Sequence, residues 1–219
     1  MKSPATHRYF RFGLRTFLTV ITVAAVSLGC LMYHVHQQKA TVRWVQENMG
    51  GVEYAIAIKP SRLAWLRSLV GVDRVAEVSS VGLDGTHVSD VSPLANLKSL
   101  ESLFLNGTQV SDISALANLD SLKTLQLRDT QVSDLTPLAK LKSLKRLTLS
   151  GTQVSDVTPL AKLKSLEILV LVNTPVSDLS PLANVKSLEV LALSIEQTEE
   201  LSCSIKELKV AIPNVTVTH

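Results

Sequence analysis

Residues 132–175 read VSDLTPLAKLKSLKRLTLSGTQ and then VSDVTPLAKLKSLEILVLVNTP, two versions of one 22-residue unit laid end to end. A fixed period of this length outranks local propensity, because it means that one small structural unit is stacked on copies of itself. Working outward, the unit opens at Val88, Val110, Val132, Val154 and Val176, so that five copies fill residues 88–197. Each begins Val-Ser-Asp, passes through Leu-Ala and ends in Leu-x-x-Leu-x-Leu. One period earlier, Val81, Leu83 and Thr86 stand in phase, which makes Leu66 to His87 an imperfect lead-in unit.

Each unit carries one short strand, centred on the pairs Leu103/Leu105, Leu125/Leu127, Leu147/Leu149, Leu169/Leu171 and Leu191/Leu193. Side chains alternate across a strand, so both leucines of a pair point inward and the residue between them points out. No single unit can bury its own leucines. Stacking the strands in parallel, about 4.8 Å apart, closes the core.

Two polar columns run through the repeats. Thr86, Thr108, Thr130, Thr152 and Thr174 follow the strands, where hydroxyls can bond main-chain groups at the bend. Asp90, Asp112, Asp134, Asp156 and Asp178 come next, with Pro93, Pro137, Pro159 and Pro181 three residues later and Ala115 in the second unit. Stacked aspartates raise a calcium reading. An acid opening a short helical turn, with proline in its first turn, is the commoner use.

The pattern Leu-x-x-Leu-x-Leu-x-x-Thr-x-Val-x-Asp-Φ-x-Pro-Leu, with Φ aliphatic, resembles the 22-residue leucine-rich-repeat class of bacterial internalin-like proteins. The resemblance covers 110 residues strictly and about 150 with the caps. It implies an α/β fold: a leucine-rich-repeat solenoid with a parallel sheet on the concave face, which is the surface such proteins use to bind partners. That family has asparagine at the turn position where threonine stands throughout here. The leader Phe10-Arg11-Phe12-Gly13-Leu14-Arg15-Thr16-Phe17-Leu18 and the later Gly50-Gly51-Val52 also resemble bacterial membrane-anchored leucine-rich-repeat proteins.

Thr16 to Tyr33 is charge-free over 18 residues, about 27 Å as a helix against a hydrocarbon core of roughly 30 Å. Lys2, Arg8, Arg11 and Arg15 precede it with no acid among them. The expectation is a transmembrane signal anchor over 16–33 with a cytoplasmic tail at 1–15 and the repeat domain extracytoplasmic. A cleaved signal peptide and lipidation at Cys30 are the other readings of the same stretch. Residues 34–87 then hold a polar stalk, a strand over Val52 to Ile58, a helix from Pro60 to Gly71 that caps the first coil, and the lead-in repeat. Gly50-Gly51 is expected to stop the helix of the stalk. At the far end the columns break: Glu196 stands at the threonine position and Thr198 replaces valine. Residues 198–219 read as a cap, with a helix starting at Thr198-Glu199-Glu200, carrying Leu201, Ile205, Leu208 and Ile212 on one face and stopping at Pro213. Val215 and Val217 suggest a last strand.

With 46% hydrophobic residues but only 4% aromatic ones, the chain suits a stacked aliphatic core better than a ring-lined ligand pocket. The net charge of +3 is spread over scattered residues without an aromatic platform, which excludes nucleic acid as the expected partner. No catalytic motif appears: there is no nucleophile elbow, phosphate-binding loop or His-Glu-x-x-His, and His34 and His36 are spaced badly for a shared metal. No enzyme activity, cofactor, metal or small-molecule substrate is expected. The expected partner is a protein.

The outward strand positions then decide where a partner docks. Ser102-Phe104-Asn106, Thr124-Gln126-Arg128 and Arg146-Thr148-Ser150 are mostly polar. Ile168, Val170, Val172, Val190 and Ala192 form an apolar patch in the last two units, with Arg128 and Arg146 at its rim. Phe104, Arg128, Arg146 and these five aliphatics are the candidate partner-binding residues. A run of β-branched residues suited only to forming strands is the competing reading of the same patch. Lys140, Lys142, Lys145, Lys162 and Lys164 cluster on another side, as a solvated face or a contact for anionic polymer or lipid. The function expected is a scaffolding or protein-binding module, the alternative a structural or adhesion protein of the cell envelope without a single defined partner.

Overall fold

The computed structural model describes residues 14–55 and 77–218. Two compact units divide the chain, Met1–Gln37 and Gln38–His219. Helix α1, Leu14–Glu47, begins in the first and ends in the second.

Eight strands form one sheet in chain order: β1 (Gly51–Ala55), β2 (Glu77–Gly82), β3 (Ser102–Phe104), β4 (Thr124–Gln126), β5 (Arg146–Thr148), β6 (Ile168–Val170), β7 (Val190–Ala192) and β8 (Thr216–Thr218). From β2 to β8 every pairing is parallel, and from β2 to β7 each residue pairs with the one 22 places on. β1 lies antiparallel on β2. Between strands the chain returns through five-residue 3-10 turns at Ser92–Asn96, Ser114–Asn118, Thr136–Lys140, Thr158–Lys162 and Ser180–Asn184.

The repeated leucines and valines of these coils make one continuous core. The middle leucine of each strand from β3 to β7, such as Leu125 or Leu169, is completely buried. Each turn after a strand needs one residue in the left-handed region, which Gly85, Gly107, Asp129, Gly151 and Asn173 supply at φ between 54 and 69°. The position is a column of its own, in step with the 22-residue period.

The threonine column bonds main chain as expected. Thr108, Thr130, Thr152 and Thr174 are buried, and each hydroxyl donates to the carbonyl three residues back at 2.6–2.8 Å. The aspartates bond main chain too, from two residues before the turn rather than from its cap position: each Oδ1 accepts the N–H two residues on, at 2.8 Å.

The transmembrane reading of residues 16–33, and the single-pass localisation that followed from it, are corrected. Among the described residues no helix is long and apolar enough to cross a membrane. Absence of charge is weaker than apolarity: Thr16, Thr19, Thr22, Ser27 and Gly29 dilute the stretch, and α1 continues through His34, His36, Gln37, Gln38, Lys39 and Arg43.

The expected polar stalk is also different. Val45 is fully buried in the core of the first coils, and the Thr41 hydroxyl donates to the Pro93 carbonyl at 2.9 Å. The end of α1 therefore caps this end of the solenoid together with β1. The helix expected over Pro60 to Gly71, and the end of the strand expected to reach Ile58, lie outside the described residues. The helix stop differs as well. Met49, at φ 60°, takes the left-handed position, with the Met49 N–H donating to Gln46 and that of Gly50 to Val45. Gly50 serves another need, close packing against Leu83, Val45 and the Gly82 carbonyl.

At the other end, helix α2 (Ile195–Glu200) starts three residues before the expected position, because Ser194 and Gln197 form a capping box. Helix α3 (Ser202–Ala211) follows and buries Ile205 and Leu208. The last strand is Thr216–Thr218, set on β7.

Candidate functional site

The outward side chains of the parallel strands fall into rows fixed by register. One row runs Ser80, Ser102, Thr124, Arg146, Ile168, Val190, Thr216. The next runs Gly82, Phe104, Gln126, Thr148, Val170, Ala192, Thr218. Just past the strands, Asp84, Asn106, Arg128, Ser150, Val172 and Ser194 continue the alternation. Ile168, Val170, Val190 and Ala192 are thus a block of cross-strand neighbours, about 5 Å apart between strands and about 7 Å along them. All four, and Val172 beyond them, are half-buried where the leucines between them are closed to water.

The polar half of the face spends its side chains on its own lattice. Asp84 Oδ1 accepts the Asn106 N–H at 2.7 Å, and Asn106 Oδ1 accepts the Arg128 N–H at 3.0 Å. Asn106 Nδ2 donates to Gln126 Oε1 at 2.9 Å. Along the strand-entry edge Lys123 pairs with Glu101 at 2.7 Å and Lys145 with Glu167 at 2.6 Å. These exposed pairs fix geometry more than stability.

Among the described residues no group of three or more His, Cys, Asp or Glu side chains could hold a metal ion. The Ser92, Thr136 and Thr158 hydroxyls, and then the backbone N–H of the same residues, hold Asp90, Asp134 and Asp156 below the ordinary carboxylate pKa. For Asp178 the Ser180 backbone contributes most and its hydroxyl next. Each carboxylate is engaged in opening its turn.

The model for leucine-rich repeats (two copies) matches residues 120–162. Internalin C2 of Listeria monocytogenes has a solved structure 30% identical to this chain, with a TM-score of 0.52, covering 64% of this chain and 70% of its own. The chain is a leucine-rich-repeat protein of the internalin type. A leucine-rich-repeat protein of Leptospira interrogans shares the fold at 24% identity and TM-score 0.50, over 63% of this chain and 41% of that one. No curated protein matches the chain. Leucine-rich-repeat proteins bind protein partners, and no enzyme family is indicated.

Within this internalin-type solenoid the eight expected site residues do not form one cluster. Ile168, Val170, Val172, Val190 and Ala192 come together, and Arg146 adjoins Ile168 in the same row. Phe104 lies three strands from Val170, about 14 Å away. Arg128 is separated from Val172 by Ser150, and its guanidinium is held by Asp129 at 3.1 Å. Ile195, which sequence reasoning missed, is 66% exposed at the start of α2, directly after Ser194 closes the third row. It stands in phase with Gly151 and Asn173, a turn position that drew no attention as a binding residue. Thr216 and Thr218 extend the rows on the far side of the patch.

Proposed function

We propose that this chain is a protein-interaction module that takes its partner on the C-terminal half of the parallel sheet. Ile168, Val170, Val172, Val190 and Ala192 form the apolar floor, Arg146 one rim and Thr216 with Thr218 the other. One observation carries the reading. Four aliphatic side chains from adjacent strands stand in register and half-exposed, at positions the core does not need. Exposed apolar surface on a sheet face favours association.

Val170→Asp and Val190→Asp place a carboxylate in the middle of the floor without touching the buried leucines. A partner recovered by pull-down with the wild-type chain should bind each variant at least roughly tenfold more weakly, since an unpaired charge would be buried at the interface. Far-UV circular dichroism and thermal midpoint should stay near wild type. A partner held equally by both variants refutes the reading.

A further inference from the structure

Among the described residues Arg146 is a cation on this face with no counter-charge. Its backbone is fixed at the start of β5 in register with Ile168, and its side chain is exposed. Among the described residues no carboxylate lies within ion-pair distance of it. The neighbouring charges are already matched: Glu167 is held by Lys145 at 2.6 Å, and Arg128 by Asp129 at 3.1 Å. Asp84, the acid on the outward rows, accepts a backbone N–H and stands three strands back along the solenoid, just past β2.

We infer that Arg146 and the aliphatic block form a two-part site for a protein segment carrying a carboxylate next to an aliphatic side chain. The inference rests on the proposed docking surface and names the chemistry of what docks there. Charge complementarity selects the occupant. A partner covering Ile168 and Val170 excludes water from one flank of the guanidinium, which leaves that cation without counter-charge unless the partner brings one. The spacing suits a short segment. Arg146 and Ile168 stand about 5 Å apart across the strands, so the acid and the apolar group belong to alternate residues of an extended chain, which share a face, or to successive turns of a helix. Guanidinium also favours carboxylate by geometry, through paired parallel N–H donors. A basic or purely apolar segment would leave Arg146 repelled or orphaned.

The test is selection of a random linear peptide library, displayed on phage, against the immobilised full chain, followed by fluorescence anisotropy with the selected peptides as synthetic probes. Wild type should enrich peptides with Asp or Glu within a few residues of Leu, Ile or Val. Arg146→Glu should bind them roughly ten- to a hundredfold more weakly, the range of a charge-assisted hydrogen-bonded pair. It should also enrich Lys- or Arg-containing peptides in its own selection, while Arg146→Lys stays within a few-fold of wild type. Val170→Asp should lose the wild-type peptides. Because Arg146 is exposed and outside the core, its variants should keep the wild-type unfolding midpoint, which separates recognition from folding. A wild-type selection that enriches no acidic peptide overturns the inference. So do peptides that bind wild type and Arg146→Glu alike but fail on Val170→Asp, an outcome that leaves the apolar docking surface standing. Peptides indifferent to both Val170→Asp and Val190→Asp overturn the docking surface itself.

Discussion

Gln197 closes the threonine column, and its replacement gives the sharpest test of how the solenoid ends. The side chain is buried inside the cap. Its Nε2 donates to the Thr174 carbonyl at 2.7 Å and contacts the Thr174 hydroxyl at 3.2 Å. Its Oε1 accepts from the Ser194 N–H and hydroxyl, each at 3.0 Å, and from the Asn173 N–H at 3.2 Å. Gln197→Leu keeps most of the volume and removes every one of these bonds. The Thr174 carbonyl then sits buried without its donor, at about 1–3 kcal/mol. The two N–H groups lie nearer to solvent, at about 0.5–1 kcal/mol each. The total is about 2–5 kcal/mol, or a fall in urea midpoint of roughly 1–2.5 M for a slope near 2 kcal/mol/M.

Gln197→Glu is the discriminating partner of that variant. It preserves the accepting oxygen but sets a carboxylate against the Thr174 carbonyl. The Thr174 hydroxyl cannot help, because its proton already goes to the Leu171 carbonyl at 2.8 Å. The folded state therefore favours the neutral acid, which donates as the amide did. Its pKa in the folded chain rises above the unfolded value of about 4.3. A raised folded pKa means that the cap is intact below about pH 4 and fails as the pH climbs through the folded value. Urea titrations by circular dichroism from pH 4 to 8 should show a Glu penalty that grows with pH beside a Leu penalty that does not. Hydrogen exchange should place the lost protection in β7 and β8, with Leu125 unaffected, because solenoid stability is carried by nearest neighbours. A Leu variant with the wild-type midpoint, or a Glu penalty flat with pH, refutes the account.

Two further predictions concern the other end and the turns. Met49→Gly should stabilise the chain by about 0.5–1 kcal/mol, since a 92% exposed side chain is held there in a left-handed backbone that glycine adopts freely. Gly50→Ala should destabilise by about 1–3 kcal/mol, because the methyl would stand 2.8 Å from the Gly82 carbonyl oxygen; reversed signs in urea unfolding would show that the two roles are misassigned. The aspartates whose pKa is depressed by their turn bonds stabilise the fold above the unfolded value of about 3.9 and lose that contribution as pH falls through the folded values. Asp134→Asn with Asp156→Asn keeps the acceptor and removes the titration, so its urea midpoint should fall less than that of wild type below about pH 4; parallel falls would refute this.

The repeats were legible because each coil reports its neighbour's geometry. A leucine at position 125 means a leucine beneath it at 103 and another above it at 147, and a column of threonines announces one bond made over and over. The ends were illegible for the same reason. At Gln197 the column slips by one residue, because Ser194 starts a helix early and brings the neighbour of Glu196 to face Thr174. At Met49 the left-handed residue is the one before the glycine pair, since tight packing had already claimed Gly50. Val45 looked like part of a solvated stalk because nothing in its own surroundings names the coil it packs on. The left-handed column hid by changing identity, with Asp129 and Asn173 standing among glycines. For the site, the sequence yielded the aliphatic block and Arg146 through strict alternation. It grouped Phe104 and Arg128 with them because a string of positions carries no distance across a sheet.

What makes the outward rows informative is that folding leaves them free. The buried leucines of β3, β5 and β7 are interchangeable in environment, so the core gives no reason for the residues outside them to differ. Yet β3 to β5 carry polar side chains apart from Phe104, several tied to one another through the turns that follow, while β6 and β7 carry Ile168, Val170, Val190 and Ala192. β-branched residues suit a strand anywhere along the sheet, so strand propensity alone would spread them evenly. Threonines do recur along the sheet, at 124, 148, 216 and 218, but the aliphatic side chains gather on β6 and β7, bordered by an unpaired arginine on one side and two threonines on the other, a boundary that strand formation does not require. A contiguous apolar surface beside an open cation lowers solubility in the free chain. On the proposed function its compensation is association, which is why the C-terminal half of the sheet, rather than the lysine-rich side or the polar half, is the surface on which the binding experiments should begin.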